Sequence, residues 1–340
     1  MAPRLTTSNL FQHAGNLTMS HAIRVEGLTK RFKKFTAVDN ISFTVEQGEL
    51  FGLLGPNGAG KTTTINILVT LLRATSGYAE VAGFDVSKDK GSVRNSIGIV
   101  FQDTALDERL TGWENLDFHS VMYGLARDER QKRITEVMDL VELTDKANIL
   151  VEKYSGGMKR RLEIARGLIH KPRVLFLDEP SLGLDAQTRR HIWDYIKKLN
   201  EEGVTIVLTT HYMEEADYLC DRVAIVDHGR IVVVDSPSNL KDAFGGDVLS
   251  LEVSNGKQEL LEGELKTPEW VKGVDRLGDV LDLRVQNAGK HLPEVMFMAE
   301  RLGVTITSVQ IRKPSLEDVY LKYTGKRIRG EVEAGSLDGN

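Results

Sequence analysis

Three short stretches of this sequence carry residue types that could bind phosphate and move a proton. The first runs Gly-Pro-Asn-Gly-Ala-Gly-Lys-Thr, from Gly55 to Thr62. Gly55, Gly58 and Gly60 let the backbone wrap closely, with Pro56, Asn57 and Ala59 completing the loop, so that successive N–H groups can face phosphate oxygens. Lys61 brings a full charge to the β- and γ-phosphates of a nucleotide, and Thr62 a hydroxyl to Mg²⁺. Thr63 follows on the helix that the loop opens, whose N-terminal dipole end adds to the attraction. The second stretch is Arg173–Pro180, an apolar run ending Asp178-Glu179. An acid at that strand end holds Mg²⁺ through water in phosphate-loop enzymes, the role open to Asp178. Glu179 is placed to orient and deprotonate an attacking water. The third is Tyr154-Ser155-Gly156-Gly157, which opens a helical pattern with Leu162, Ile164, Ala165, Leu168 and Ile169 as its apolar stripe. Serine caps a helix well, and the two glycines leave N–H groups uncovered for a second phosphate contact.

These groups need rigid elements behind them. Glu49–Gly55, Arg173–Pro180, Thr205–His211 and Arg222–Gly229 read as short apolar strands, and helical patterns alternate with them. The alternation predicts an α/β fold, a mostly parallel sheet with helices on its faces, over residues 21–236. From about 105 to 150 the sequence reads as helix throughout, predicting a helical subdomain inserted within about 103–170. A turn-rich stretch, Asp235–Gly246, predicts a linker over 237–246. Beyond it, 247–325 reads as a small α+β domain with strands near 247–253, 273–278, 280–286 and 304–312, a helix at 291–302 and another at 315–325. Residues 1–20 and 326–340 carry no apolar pattern and are expected to be a disordered leader, with Met19 a later start, and a flexible tail.

Composition narrows the class. A formal net charge of −5 over 340 residues gives no footprint for a nucleic-acid partner. The single cysteine, Cys220, cannot form an internal disulfide and reads as a packing residue. No apolar stretch approaches the ~20 residues of a membrane span, so action at a membrane would need a span from another chain.

The order of phosphate loop, glutamine loop, Ser-Gly-Gly signature, Asp-Glu strand and histidine resembles that of ABC-transporter nucleotide-binding domains over residues 21–236. The resemblance implies a P-loop NTPase fold of the ABC type with ATP and Mg²⁺ as cofactors. It implies that Phe32 stacks on adenine, that Gln102 touches Mg²⁺ and the membrane subunit, and that Ser181–Asp185 forms the D-loop, with Asp185 at the nucleotide interface. It implies that His211 contacts the γ-phosphate, so that Lys61, Gln102, Glu179 and His211 make up the catalytic set. Two positions depart from the family pattern. Met158 replaces the usual glutamine of Leu-Ser-Gly-Gly-Gln, and Phe32 stands where tyrosine is commoner. Lys313–Gly325 resembles the ending of daunorubicin-resistance (DrrA-like) ATPase subunits.

From the resemblance follow a head-to-tail homodimer across ATP, a separate transmembrane permease, and a place at the cytoplasmic face of the membrane. The implied task is powering export of drugs or lipophilic compounds. A soluble ABC-type ATPase without a membrane subunit is the alternative. No sustained heptad run supports the coiled coils of repair and chromosome ATPases, and only one cassette is present. A P-loop kinase or GTPase would have no use for the Ser-Gly-Gly helix, and its Asn-Lys-x-Asp motif is absent. Glu179 and His211 argue against a nucleotide sensor that does not hydrolyse.

Overall fold

The run Leu50–Leu54 is buried along its whole length, as a strand must be when helices or a second sheet cover both its faces. In the computed structural model, which describes residues 21–254 and 256–325, it is the third strand of a first compact unit that ends at Ser236. The expectations for residues 1–20 and 326–340 fall outside the described residues. The elements are β1 (Ile23–Phe32), β2 (Phe35–Val45), β3 (Leu50–Leu54), α1 (Lys61–Leu68), β4 (Ser76–Val81), β5 (Phe84–Asp85), α2 (Lys90–Ser96) and β6 (Ile97–Val100). Then come α3 (Gly112–Met122), α4 (Arg127–Leu140), α5 (Gly156–Leu168), β7 (Val174–Asp178), α6 (Ala186–Glu201), β8 (Thr205–Thr210), α7 (Met213–Leu219), β9 (Arg222–Asp227) and β10 (Arg230–Asp235).

One sheet has the order β10-β9-β3-β8-β7-β6. Its strands from β9 to β6 are parallel, and β10 joins antiparallel to β9. The parallel order brings the C-terminal ends of β3, β7 and β8 to one edge, the side where such sheets bind ligands. A second sheet, β2-β1-β4-β5, is antiparallel and was not foreseen. Its inner residues Ile23, Val25 and Phe43 share one core with Ile65 and Leu68 of α1 and Phe51 of β3. Phe43 and Phe51 stack with ring centres 5.3 Å apart.

The stretch expected to be helix throughout is two helices. α3 opens with a capping box between Thr111 and Glu114 and gives way at Gly124, whose φ of 73° ends a helix readily; α4 follows. Cys220 is buried and free, the packing role expected of it, at the C-cap of α7.

The second unit begins at Pro237. It contains α8 (Pro237–Phe244), β11 (Asp247–Ser254), α9 (Gln258–Leu265), β12 (Val271–Leu277), β13 (Val280–Val285), α10 (Ala288–Arg301), β14 (Thr305–Arg312) and α11 (Leu316–Thr324). α8 corrects the expected linker over 237–246. Pro237 sits at the first helical position, where its fixed φ favours a helix, and Leu240 and Phe244, four residues apart, are both buried. α9 was not foreseen either. From β11 to β14 the order of elements is β-α-β-β-α-β with the sheet order β12-β13-β11-β14, all pairs antiparallel, the ferredoxin-like arrangement. Leu249, Leu251 and Val253 alternate along β11 into a core with Leu281, Leu283 and Val295.

Candidate functional site

β3 delivers the chain into the Gly55–Thr62 loop, and Gly60 caps α1 with a φ of 103°. A side chain at Gly60 would lie 2.3 Å from the carbonyl oxygen of Ala37, so only glycine fits there. The loop is braced from behind: the Gly229 N–H donates to the carbonyl of Ala59 at 2.9 Å. Lys61 is 4% exposed. Its ammonium donates to the carbonyls of Gly55 (2.7 Å) and Pro56 (3.1 Å), which aims it back along the loop. Burial draws its pKa down, opposed by the charges of Glu179 and Asp178.

The ends of β7 and β8 complete the cluster. Asp178 is buried at 3% exposure; its Oδ1 accepts from Thr62 Oγ1 at 3.2 Å and from the hydroxyl of Thr209. Glu179 lies 3.6 Å from Lys61 Nζ and 3.2 Å from His211 Nδ1, both through Oε1. Burial alone would raise the Glu179 carboxyl, but the His211 hydrogen bond and the Lys61 charge outweigh it and hold it below the usual range. Glu179 also has φ +48°, a conformation a non-glycine residue holds only when its surroundings enforce it. The Glu179 N–H donates to Thr209, to Oγ1 at 3.0 Å and to the carbonyl at 3.2 Å, which supplies part of that enforcement.

Lys61, Thr62, Asp178, Glu179 and His211 are thus brought together, with Gly55–Gly60 around the lysine and Thr63 on the first turn of α1. Ser155 caps α5, its Oγ accepting from the Met158 N–H at 3.3 Å. Among the described residues, no hydrogen bond or ion pair joins Ser155, Gly156 or Gly157 to Lys61 or Thr62. A side chain at Gly157 would lie 2.5 Å from Thr188 Cγ2, so the tip of α5 is pressed against α6. Asp185 caps α6, accepting from the N–H (3.0 Å) and hydroxyl (2.6 Å) of Thr188, and these bonds lower its pKa. Gln102 is exposed in the loop after β6. Phe32, at the end of β1, is 43% exposed with Lys30 Nζ 4.9 Å above its ring.

The sequence reading missed the residue that ties this cluster to the glutamine loop. Arg160 of α5 uses every N–H of its guanidinium. Nε donates to Pro180 O at 2.8 Å, and Nη1 to Phe101 O (2.6 Å) and to Glu163 Oε2 (3.0 Å). Nη2 reaches Asp178 O at 3.1 Å and Glu179 O at 3.2 Å. Glu163 in turn accepts from the Ala105 N–H at 3.0 Å. A signal was present. Arg160 stands four residues before Ile164 and eight before Leu168, on a face that is otherwise buried, and a charge there must find partners.

Comparison with known proteins fits this geometry. The family model described as ABC transporter matches residues 38–182. That described as ATP-binding protein DrrA1-3-like, C-terminal domain, matches 236–324. The linearmycin resistance ATP-binding protein LnrL of Bacillus subtilis (strain 168) is 39% identical over 90% of this chain and 99% of its own length. The daunorubicin/doxorubicin resistance ATP-binding protein DrrA of Streptomyces peucetius is 36% identical over 91% of this chain and 94% of its own. A solved dimeric ATP-binding cassette, in a post-hydrolysis state bound to ADP and Pi, superposes with a TM-score of 0.57 at 29% identity. It covers 63% of this chain and 98% of its own. The chain belongs to the ATP-binding subunits of ABC transporters, in the daunorubicin-resistance (DrrA-like) group, and its ATP hydrolysis is coupled to transport across a membrane.

Proposed function

We propose that two copies of this chain close on ATP head to tail, and that the resulting motion powers export of a drug or another lipophilic compound through a separate permease. The observation that carries the reading is the convergence of Lys61, Thr62, Asp178, Glu179 and His211 at one sheet edge, with the Ser155–Gly157 helix tip unlinked to it. The N-terminal end of a helix attracts an anion, and the γ-phosphate held by a second copy supplies one. The solved relative bound to ADP and Pi is itself dimeric.

In this reading Gly55–Thr63 and Lys61 hold the triphosphate, and the exposed ring of Phe32 stacks on the adenine. Asp185 lies at the contact between the two copies. Thr62 and Asp178, 3.2 Å apart, have the oxygen donors that suit Mg²⁺, with Gln102 reaching in from its loop. A Mg²⁺ held by these residues would offset negative charge on the triphosphate. Glu179, held close to His211 and Lys61, takes a proton from water as the water oxygen bonds to the γ-phosphorus and the bond to the β-phosphate oxygen breaks. His211 fixes the Glu179 carboxylate through Oε1 and orients the γ-phosphate.

No helix among the described residues is long and apolar enough to cross a membrane. In this reading a separate permease supplies the span, and this chain sits at the cytoplasmic face. The α3 side chains Phe118, Val121 and Met122 are 64%, 52% and 68% exposed, an unusually apolar surface for one helix. This face and the Gln102 loop are the permease contact.

The Glu179→Gln variant tests the reading. Hydrolysis should fall by roughly 100-fold or more, while ATP should drive the variant into stable dimers on a sizing column with light scattering. Turnover at the normal rate, or a monomer at saturating ATP, would overturn it.

A further inference from the structure

Glu215 of α7 is a fully buried carboxylate that the scheme above does not use. It is 0% exposed, and among the described residues no lysine or arginine forms an ion pair with it. Its Oε1 accepts two short hydrogen bonds, from Ser181 Oγ at 2.6 Å and from Trp193 Nε1 at 2.7 Å. Its other oxygen, Oε2, is buried with no hydrogen-bond partner among the described residues. These two donors come from different segments. Ser181 is two residues beyond Glu179 and is itself 0% exposed. Thr210 immediately precedes His211, and its Oγ1 accepts from the Tyr212 N–H at 2.9 Å. Trp193 lies on α6, the helix that Asp185 caps.

We propose that Glu215 is a positioning residue for hydrolysis, fixing the Glu179–Ser181 turn against the segment that carries His211. It rests on the roles proposed above for Glu179 and His211. The turn is strained at Glu179 and held from two sides. Arg160 grips the carbonyls of residues 178–180 from one side, and Glu215 holds the Ser181 side chain from the other. Glu215 is only four residues past His211 on a short helix. The single hydrogen bond to Ser181 therefore sets how the carboxylate of residue 179 meets the imidazole of residue 211, now 3.2 Å apart. An error of about 1 Å in such an alignment is enough to slow a reaction by roughly 100-fold. Burying a carboxylate without a cation is costly. Burial pushes its pKa up, against the hydrogen bonds from Ser181 and Trp193. Positioning explains why a hydrogen-bond acceptor, and not an apolar side chain, fills this site.

Steady-state ATPase kinetics on the full chain test this, beside nucleotide affinity and melting temperature. Ser181→Ala removes the donor and should lower kcat about 10-fold, leaving KM and nucleotide affinity within about two-fold. Glu215→Met should do the same. Glu215→Gln keeps an acceptor oxygen and should retain at least half of kcat. In the Ser181→Ala, Glu215→Met double variant the loss should be no greater than in Glu215→Met alone, because both remove one contact. Normal kcat in Ser181→Ala would overturn the proposal, and so would a loss carried by KM. Should Glu215→Met fail to fold, Ser181→Ala still decides. Glu179→Gln run alongside separates the two ideas: its normal turnover sinks the hydrolysis scheme, whereas its failure beside an active Ser181→Ala sinks only the role of Glu215.

Discussion

Each unit buries acidic side chains, yet only one unit arranges them for chemistry. In the second, Asp318 is 6% exposed and its needs are met locally. Arg312 grips both carboxylate oxygens, and the Ser315 N–H and hydroxyl reach Oδ2 at 2.7 and 2.8 Å in the capping box of α11. Asp282 takes its partners from other strands, Ser250 Oγ at 2.6 Å and Arg312 at 3.6 Å, which leave it paired to a cation and a hydroxyl. In the first unit, Asp178 and Glu179 take partners from β8, α1 and the residue after β8, at the open end of a parallel sheet. Glu179 sits in left-handed backbone, and a lysine and a histidine share one of its oxygens. Burial alone therefore does not mark a site. The mark is burial at the open end of a parallel sheet, where a lysine and a histidine converge on one carboxylate and a strained backbone holds it.

Lys61→Ala should break the contrast most severely. Nucleotide affinity should fall by roughly 100-fold, about 2.7 kcal/mol, measured by a fluorescent ATP analogue. The second unit should keep its hydrogen-exchange protection at Leu249 and Leu281. Unchanged affinity would remove the loop from phosphate binding.

Next in size is Arg160→Lys. Lysine keeps the charge but cannot fork across Pro180, Phe101, Asp178 and Glu179. We expect kcat about 10-fold lower and a clear drop in melting temperature, since the carbonyls of 178–180 lose buried donors. A variant with wild-type kcat and melting temperature would show that the α5 network is dispensable.

Much of the first unit was legible because its chemistry is local in sequence. A glycine loop between strand and helix, or two acids ending an apolar run, can be read residue by residue. What stayed hidden depends on partners far along the chain. Arg160 meets Phe101 across 59 residues, and Glu215 meets Ser181 across 34; neither separation leaves a pattern. The strands β1 and β2 were missed because they pair antiparallel through several register shifts, which blur the two-residue alternation. Residues 237–246 misled for the opposite reason. Ser-Pro-Ser-Asn and Gly-Gly are strong turn signals, but Pro237 starts a helix and the burial of Leu240 and Phe244 settles the matter.

The smallest expected effects lie in the second unit and sharpen the contrast from its other side. Asp318→Asn should cost about 1–3 kcal/mol of that unit's stability and leave ATP hydrolysis intact; lost turnover would mean the two units share more than this comparison allows. Acid should reveal the same pair. Burial alone would raise the Asp318 carboxyl, but Arg312 and Ser315 outweigh it, so its folded pKa lies below the ordinary value. A depressed folded pKa stabilises above the unfolded value of about 3.9 and loses that contribution as pH falls through the folded one. Hydrogen exchange at Leu249 should therefore report constant stability from neutral pH to about 5, then a decline below about 4. The Asp318→Asn variant should decline less steeply there, because one of the groups that must take up a proton is gone. An equal acid slope in both proteins would show that the Arg312 clamp adds nothing to the folded state, and that its close contacts are geometry without stabilisation.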